Sequence, residues 1–354
     1  MALIDTRPVR PPEQLDWQRM ERWLRRELPA SRIDGLDLTQ PMRVEQFPGG
    51  HSNLTYLIRF GDVELVVRRP PLGQVAPTAH DMAREFRWLT AVHPVFPLAP
   101  RAFVLCDDPS IVGSVFYVME RRRGVVVRHD EPPALQRPAV RHRVSGALVD
   151  ALADLHGIDL ERAGLMHLGK PVGFVERQVR GWTERWHRSK TAELPEMDAL
   201  ALWLGANLPA TAVRPSIVHG DFKLDNLMLS ADRLDQIVAV FDWEMSALGD
   251  ALVDVGILLA YWMPTAPPSQ HDALTTVTSQ PGWFTREELI DRYQARSGRD
   301  MTTLRYFEVF ALFKIAVVIQ QLYHRFVLGQ TDDPRFAAFG GRVTYLARHA
   351  TAML

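Results

Sequence analysis

Two short stretches concentrate the residues able to do chemistry. In the first, His219, Gly220, Asp221, Phe222, Lys223, Leu224, Asp225 and Asn226 follow one another between the apolar runs 216–218 and 227–229. In the second, the run 237–241 ends in Asp242, Trp243 and Glu244, and Asp242 lies 16 residues beyond Asn226. A carboxylate at the end of an apolar strand is unfavourable unless it meets a cation or hydrogen-bond donors. A divalent metal is the obvious partner for Asp242. The same residues would also suit a buried polar network without catalysis, or a His/Asp metallohydrolase site.

The elements that must position these residues follow from periodicity. After a Pro-rich leader, residues 14–28 carry Leu15, Met20, Trp23, Leu24 and Leu28 at helical spacing, and Pro29 ends the run. From Met42 the period changes to that of strands: 42–47, 54–60 and 63–68, joined by a PGGHSN loop and a Gly61-Asp62 turn. A helix over 80–92 and strands over 102–106 and 115–120 come next. Beyond Arg121 the pattern is mostly helical, over 140–158, 174–190, 198–207, 286–296, 304–327 and 336–353. The sequence therefore predicts three parts: a helical extension over 1–30, a sheet-rich lobe over 31–120 and a larger helical lobe over 121–354.

The order of motifs resembles the kinase fold, and within it the aminoglycoside-phosphotransferase-like branch of small-molecule kinases. Protein kinases carry a loop H-R-D-x-x-x-x-N followed by D-F-G; this chain has His219-Gly220-Asp221 with Asn226, then Asp242-Trp243-Glu244. The resemblance runs over about residues 47–259 and implies an α+β, bilobal architecture. Its small antiparallel-sheet lobe carries one main helix, and its larger lobe is mainly helical. It further implies Asp221 as base and orienter of an alcohol, Lys223 near the transferred phosphate, and Asn226 and Asp242 as Mg²⁺ ligands. Phosphoryl transfer asks a protein mainly to neutralise phosphate charge and hold a hydroxyl in line, which this residue set suits.

The smaller lobe should then cover the phosphates of ATP. Gly49, Gly50, His51, Ser52 and Asn53 lie between two strands and can turn N–H groups toward phosphate. Kinases use a lysine on the third strand, yet only four of the 41 basic residues here are lysine (Lys170, Lys190, Lys223 and Lys314), so none precedes residue 170. Arg68 stands in that strand and Glu85 on the next helix is its expected partner; Arg69 is the alternative clamp. A guanidinium grips phosphate or carboxylate bidentately, so the exchange is chemically sound. By the same resemblance, Met119, Glu120 and Arg121 form the adenine hinge, while Asp250 and Asp254 support the loop backbone.

The stretches 47–60, 66–71, 79–89 and 219–229 also resemble the kinase domain joined to certain acyl-CoA dehydrogenases, a subgroup associated with phosphorylating hydroxyacyl-CoA thioesters. Seven arginines against Asp130 and Glu131 over 121–143 suit an anionic acceptor better than a cationic aminoglycoside. Other readings remain open: an aminoglycoside or other small-alcohol kinase, or a nucleotide-binding pseudokinase scaffold. A protein kinase fits less well, because no Ala-Pro-Glu segment follows Asp242.

Composition bounds the rest. Basic and acidic residues number 41 and 42, so no global field recruits nucleic acid or an anionic membrane. The single Cys106 excludes an intramolecular disulfide. The N-terminus lacks a signal-peptide core, and the run 253–263 is too short to span a bilayer. A cytoplasmic enzyme is expected, while oligomeric state and the choice between ATP and GTP stay open.

Overall fold

A computed structural model describes residues 5–48, 53–72, 81–128, 130–212, 214–262, 277–331 and 333–354. The chain divides into two compact units, Met1–Arg123 with Val238–Glu244, and Gly124–Ile237 with Met245–Leu354. The first contains helix α1 (Trp17–Glu27), strands β1 (Met42–Gln46), β2 (Leu54–Phe60) and β3 (Val63–Arg69), helix α2 (Met82–Val92), and strands β4 (Ala102–Cys106) and β5 (Phe116–Glu120). The strands form one antiparallel sheet in the order β1-β2-β3-β5-β4. That is the predicted succession of three strands, a helix and two strands.

Strand alternation decides which side chains this sheet sends to each face. Tyr56, Ile58 and Phe60 of β2, Leu65 and Val67 of β3, and Phe116 and Val118 of β5 pack in one core with Met20, Trp23, Leu24 and Leu28. The first helix therefore belongs with the sheet. Val66 and Arg68 point the other way, toward α2, whose buried stripe is Met82, Glu85, Trp88, Leu89 and Val92. A carboxylate within an apolar helical stripe needs a cation, and β3 provides one.

The second unit contains β6 (Val125–Val126), α3 (Pro138–His156), α4 (Phe174–Ser189), α5 (Pro195–Ala206), β7 (Ser216–Val218) and β8 (Leu227–Leu229). After β9 (Ile237–Val240), which falls largely in the first unit, come β10 (Ala247–Gly249), α6 (Leu252–Tyr261), α7 (Arg286–Ser297), α8 (Leu304–Val327) and α9 (Phe339–Thr351). Two short antiparallel pairs, β7 with β10 and β6 with β8, hold the ends of the polar loop between β7 and β8. Unlike the run 253–263, helix α8 is long and apolar enough to cross a membrane by length and composition. In the fold, however, its apolar window is 72% buried, and it packs against α4, α5, α6 and α9 as a core helix. Gly256 permits the close approach of α6 to α8: a Cβ there would lie 2.4 Å from the Phe307 carbonyl oxygen.

Candidate active site

In the second unit the polar loop runs from β7 through a 3₁₀ turn at Leu224–Asn226 into β8. This turn brings Asn226 back onto Asp221, where its Nδ2 donates to the Asp221 carbonyl at 2.9 Å and to Oδ2 at 2.8 Å. Lys223 Nζ lies 3.1 Å from the same Oδ2. The Lys223 ammonium also sits 4.5 Å from the centre of the Tyr261 ring and donates to its hydroxyl at 3.4 Å. Burial works against this charge, but Tyr261, Asp221 and Asp225 outweigh it and hold Lys223 well above the usual lysine range. The lysine is a fixed cation beside a fixed carboxylate.

The loop backbone is anchored from far along the chain. Asp254 on α6, fully buried, accepts the N–H groups of His219 at 2.6 Å and Gly220 at 2.7 Å. Burial alone would raise its pKa; His156 and the Gly220 amide hold it below the ordinary carboxylate value. His156 Nε2 lies 3.1 Å from Asp254 Oδ2 and its Nδ1 2.7 Å from the Tyr293 hydroxyl. Burial keeps this imidazole below its ordinary pKa, so it meets Asp254 as a neutral donor. Asp250 does not share the task expected of it; its Oδ1 accepts the N–H of Leu252, two residues on.

The exchange of arginine for Gly220 within the H-R-D pattern now has a physical reason. Gly220 has φ +85°, and a Cβ there would lie 2.8 Å from the Met245 carbonyl oxygen and 2.9 Å from the Met245 Cβ. Only glycine accepts both conditions.

In the first unit Arg68 stands opposite Tyr117 on β5 and faces three carboxylates. Its Nε is 3.1 Å from Glu85 Oε2, its Nη2 2.5 Å from Asp242 Oδ1 and 4.0 Å from Glu244 Oε2. Burial disfavours the guanidinium charge, yet Glu85 and Asp242, with Tyr117 and Glu244, raise it well above the ordinary value. Burial pushes the Glu85 carboxyl up while Arg68 pulls it down. Arg69 turns to the other face, where it is buried and donates to the Val112 carbonyl at 2.8 Å. Of the two arginines, β3 presents Arg68 to this cluster.

Asp242 has φ +69°, a left-handed conformation that a non-glycine residue seldom adopts and that is typical of functional positions. Asn53 is buried and donates from Nδ2 to Glu244 Oε2 at 3.0 Å, and Arg84 Nη1 donates to the Glu244 carbonyl. Gly49, Gly50, His51 and Ser52 lie outside the described residues. Met119 and Glu120 end β5, where the Glu120 amide donates to the Arg101 carbonyl; Arg121 pairs with Asp5 and stacks 4.7 Å from the Phe47 ring centre.

Among the described residues no three His, Cys, Asp or Glu side chains form a cage for a metal ion. Mg²⁺ does not require one, because it is commonly held by one or two carboxylates and by substrate phosphates. Each unit holds an oxygen donor of a type that suits such an ion. Asp242 is a hard anionic oxygen ligand, and Asn226, whose nitrogen binds Asp221, has its carbonyl oxygen as the acceptor end. Three carboxylates around Arg68 also leave negative charge for a cation to balance.

Sequence reasoning named Glu244 without giving it a role, and it missed Arg84, Tyr261 and Lys314. Lys314 carried a signal: it is the only charged residue between Glu308 and Arg325 in an apolar helix, and one of four lysines.

Fold and site together define a small-molecule phosphotransferase of kinase-like architecture. The model of the phosphotransferase enzyme family matches residues 43–289, and the chain belongs to that family, whose members transfer phosphate to a hydroxyl group. Acyl-CoA dehydrogenase family member 10 of Mus musculus is 34% identical over 335 residues, covering 94% of this chain but only 30% of that protein. A crystal structure from Ralstonia eutropha, of a protein provisionally assigned as an aminoglycoside phosphotransferase, superposes with TM-score 0.80 at 29% identity, covering 96% and 98% of the two chains. A thermostable mutant of an aminoglycoside phosphotransferase, in ternary complex with ADP and hygromycin B, shares the fold at TM-score 0.55 and 18% identity, covering 86% and 93%.

Proposed function

We propose that this chain transfers the γ-phosphoryl group of Mg²⁺-ATP to the hydroxyl of a hydroxyacyl-CoA thioester. The observation that carries the chemistry is the Asp221 carboxylate, with Oδ2 held by Asn226 at 2.8 Å and by Lys223 at 3.1 Å. A carboxylate so fixed orients an alcohol and takes its proton as the alcohol oxygen bonds to the γ-phosphorus. The bond from phosphorus to the bridging oxygen breaks, and ADP leaves. Lys223 faces the charge on the transferred group. Asn226 and Asp242 would hold Mg²⁺, which supplies charge neutralisation on the phosphates, and Arg68 with Glu85 would clamp them. Adenine would rest on the backbone of Met119–Arg121. Use of an adenine nucleotide is supported by the ADP bound to the aminoglycoside enzyme of like fold.

Support for the acyl-CoA acceptor comes from the mouse relative named as an acyl-CoA dehydrogenase, of which this chain matches 30%. The arginine-rich stretch adds less than its count suggests, because Arg121, Arg122, Arg123, Arg141 and Arg143 each already have a carboxylate partner. The test is ADP release from Mg²⁺-ATP with 4-hydroxyacyl-CoA, free hydroxy acids and aminoglycosides. Turnover with the thioester is expected, and turnover with aminoglycosides alone would sink the acceptor assignment.

A further inference from the structure

Lys314 occupies a position that ordinary helix packing would give to an apolar residue. It lies midway along α8, only 6% exposed, and among the described residues no carboxylate reaches ion-pair distance of its ammonium. Its Nζ donates to the carbonyl oxygen of Gly220, and the Trp182 ring on α4 lies 5.5 Å away. A desolvated ammonium with one carbonyl and one aromatic face is poorly compensated, and a methionine of similar length would pack there without that penalty. Burial accordingly pulls the Lys314 pKa from 10.5 down to about 8, against the attraction of Asp221 and Asp254 and with repulsion from Lys223 and Arg185.

The bond it makes falls on one particular peptide unit. The Gly220 carbonyl belongs to the peptide that joins Gly220 to Asp221, and the N–H of the same peptide donates to His219 Nδ1 at 3.2 Å. The preceding peptide is held by Asp254 through the Gly220 N–H. Both peptides flanking Gly220 are therefore fixed by charged side chains from α6 and α8, the helices that Gly256 lets approach closely. Rotation of the second peptide would swing the Asp221 side chain away from Asn226.

We propose that Lys314 is a positioning residue for phosphoryl transfer, which by fixing the Gly220 carbonyl holds Asp221 in the orientation that receives the acceptor hydroxyl. The proposal rests on the assignment of Asp221 as base. It accounts for two of the four lysines meeting at residues 220–223 in a chain that otherwise relies on arginine.

The test measures kcat and KM with Mg²⁺-ATP and 4-hydroxyacyl-CoA, and in parallel with water as acceptor, in the full chain. Lys314→Met should lower kcat about 100-fold while both KM values stay within about twofold, the loss typical of a misplaced reacting group. Lys314→Gln, with a donor of shorter reach, should fall about tenfold with the same split, and it carries the test if Lys314→Met does not fold. Adding Lys314→Met to Asp221→Asn should change the residual rate by less than about twofold, because both act on one group. Wild-type kcat in the folded variant, a fully additive loss in the double variant, or a fall in kcat matched by rising KM and a falling melting temperature would each overturn it. Normal turnover by Asp221→Asn would instead remove the base assignment, and this inference with it; an inactive Asp221→Asn beside a fully active Lys314→Met would remove the inference alone.

Discussion

The two units hold their polar residues by different means. In the first, Arg68, Glu85, Asp242 and Glu244 meet side chain to side chain. In the second, Asp254 and Lys314 reach the loop through its backbone, at the His219 and Gly220 amides and the Gly220 carbonyl. A cluster of charges can redistribute when a cation or phosphate arrives, since each ion pair can exchange its partner. A loop clamped at its peptides cannot. The contrast fits a division in which the first set manages the charge of a ligand and the second fixes the direction of one carboxylate.

That contrast can be broken experimentally, beginning with the largest effect. Asp221→Asn should lower kcat by about 1,000-fold, the middle of the range for loss of a general base, while calorimetry shows Mg²⁺-ATP binding largely retained. Lost nucleotide affinity would mean that the loop also manages ligand charge. Asp254→Asn should reduce unfolding stability by about 3 kcal/mol, because two amides and His156 lose a buried anion; chemical denaturation measures it. A stable but inactive variant would show that the anchor serves the loop alone.

Arg68→Lys keeps the charge and loses the fork that reaches Glu85 and Asp242 together, so KM for ATP should rise about tenfold with kcat changed less. A selective fall in kcat would place Arg68 on the side of geometry. The smallest effect concerns acid. Burial sets the folded-state pKa of His156 below its ordinary 6.5, so the unfolded chain binds a proton that the folded chain refuses. Its contribution to stability is complete above pH 6.5 and is lost as pH falls below that value. Wild-type melting temperature should therefore drop more steeply between pH 8 and 5 than that of His156→Gln, and equal slopes would contradict the neutral, buried imidazole.

How much of this could be read beforehand differs between the units. The alternation of β3 put Arg68 and Arg69 on opposite faces from the start, but which face meets Glu85 depended on where α2 packs. The spacing from Asp221 to Asn226 was local, and a single turn realised it. The partners of Gly220 were hidden, because Asp254 is 34 residues away and Lys314 is 94. Asp250 and Asp254 looked equivalent in sequence; the structure turned Asp254 to the amides of the polar loop and Asp250 to the N–H of Leu252.

The sequence by itself determined most of the elements, the family and the two clusters of polar residues around Asp221 and Asp242, since periodicity and motif spacing are properties of short segments. It also excluded a third-strand lysine, because no lysine precedes residue 170. Only the tertiary structure decided that Arg68 faces the carboxylates, that Gly220 must be glycine against Met245, and that a lone lysine in an apolar helix holds the peptide before Asp221. Those outcomes depend on which faces and backbone groups are brought together across long stretches of chain, and that choice is made by packing of the whole core.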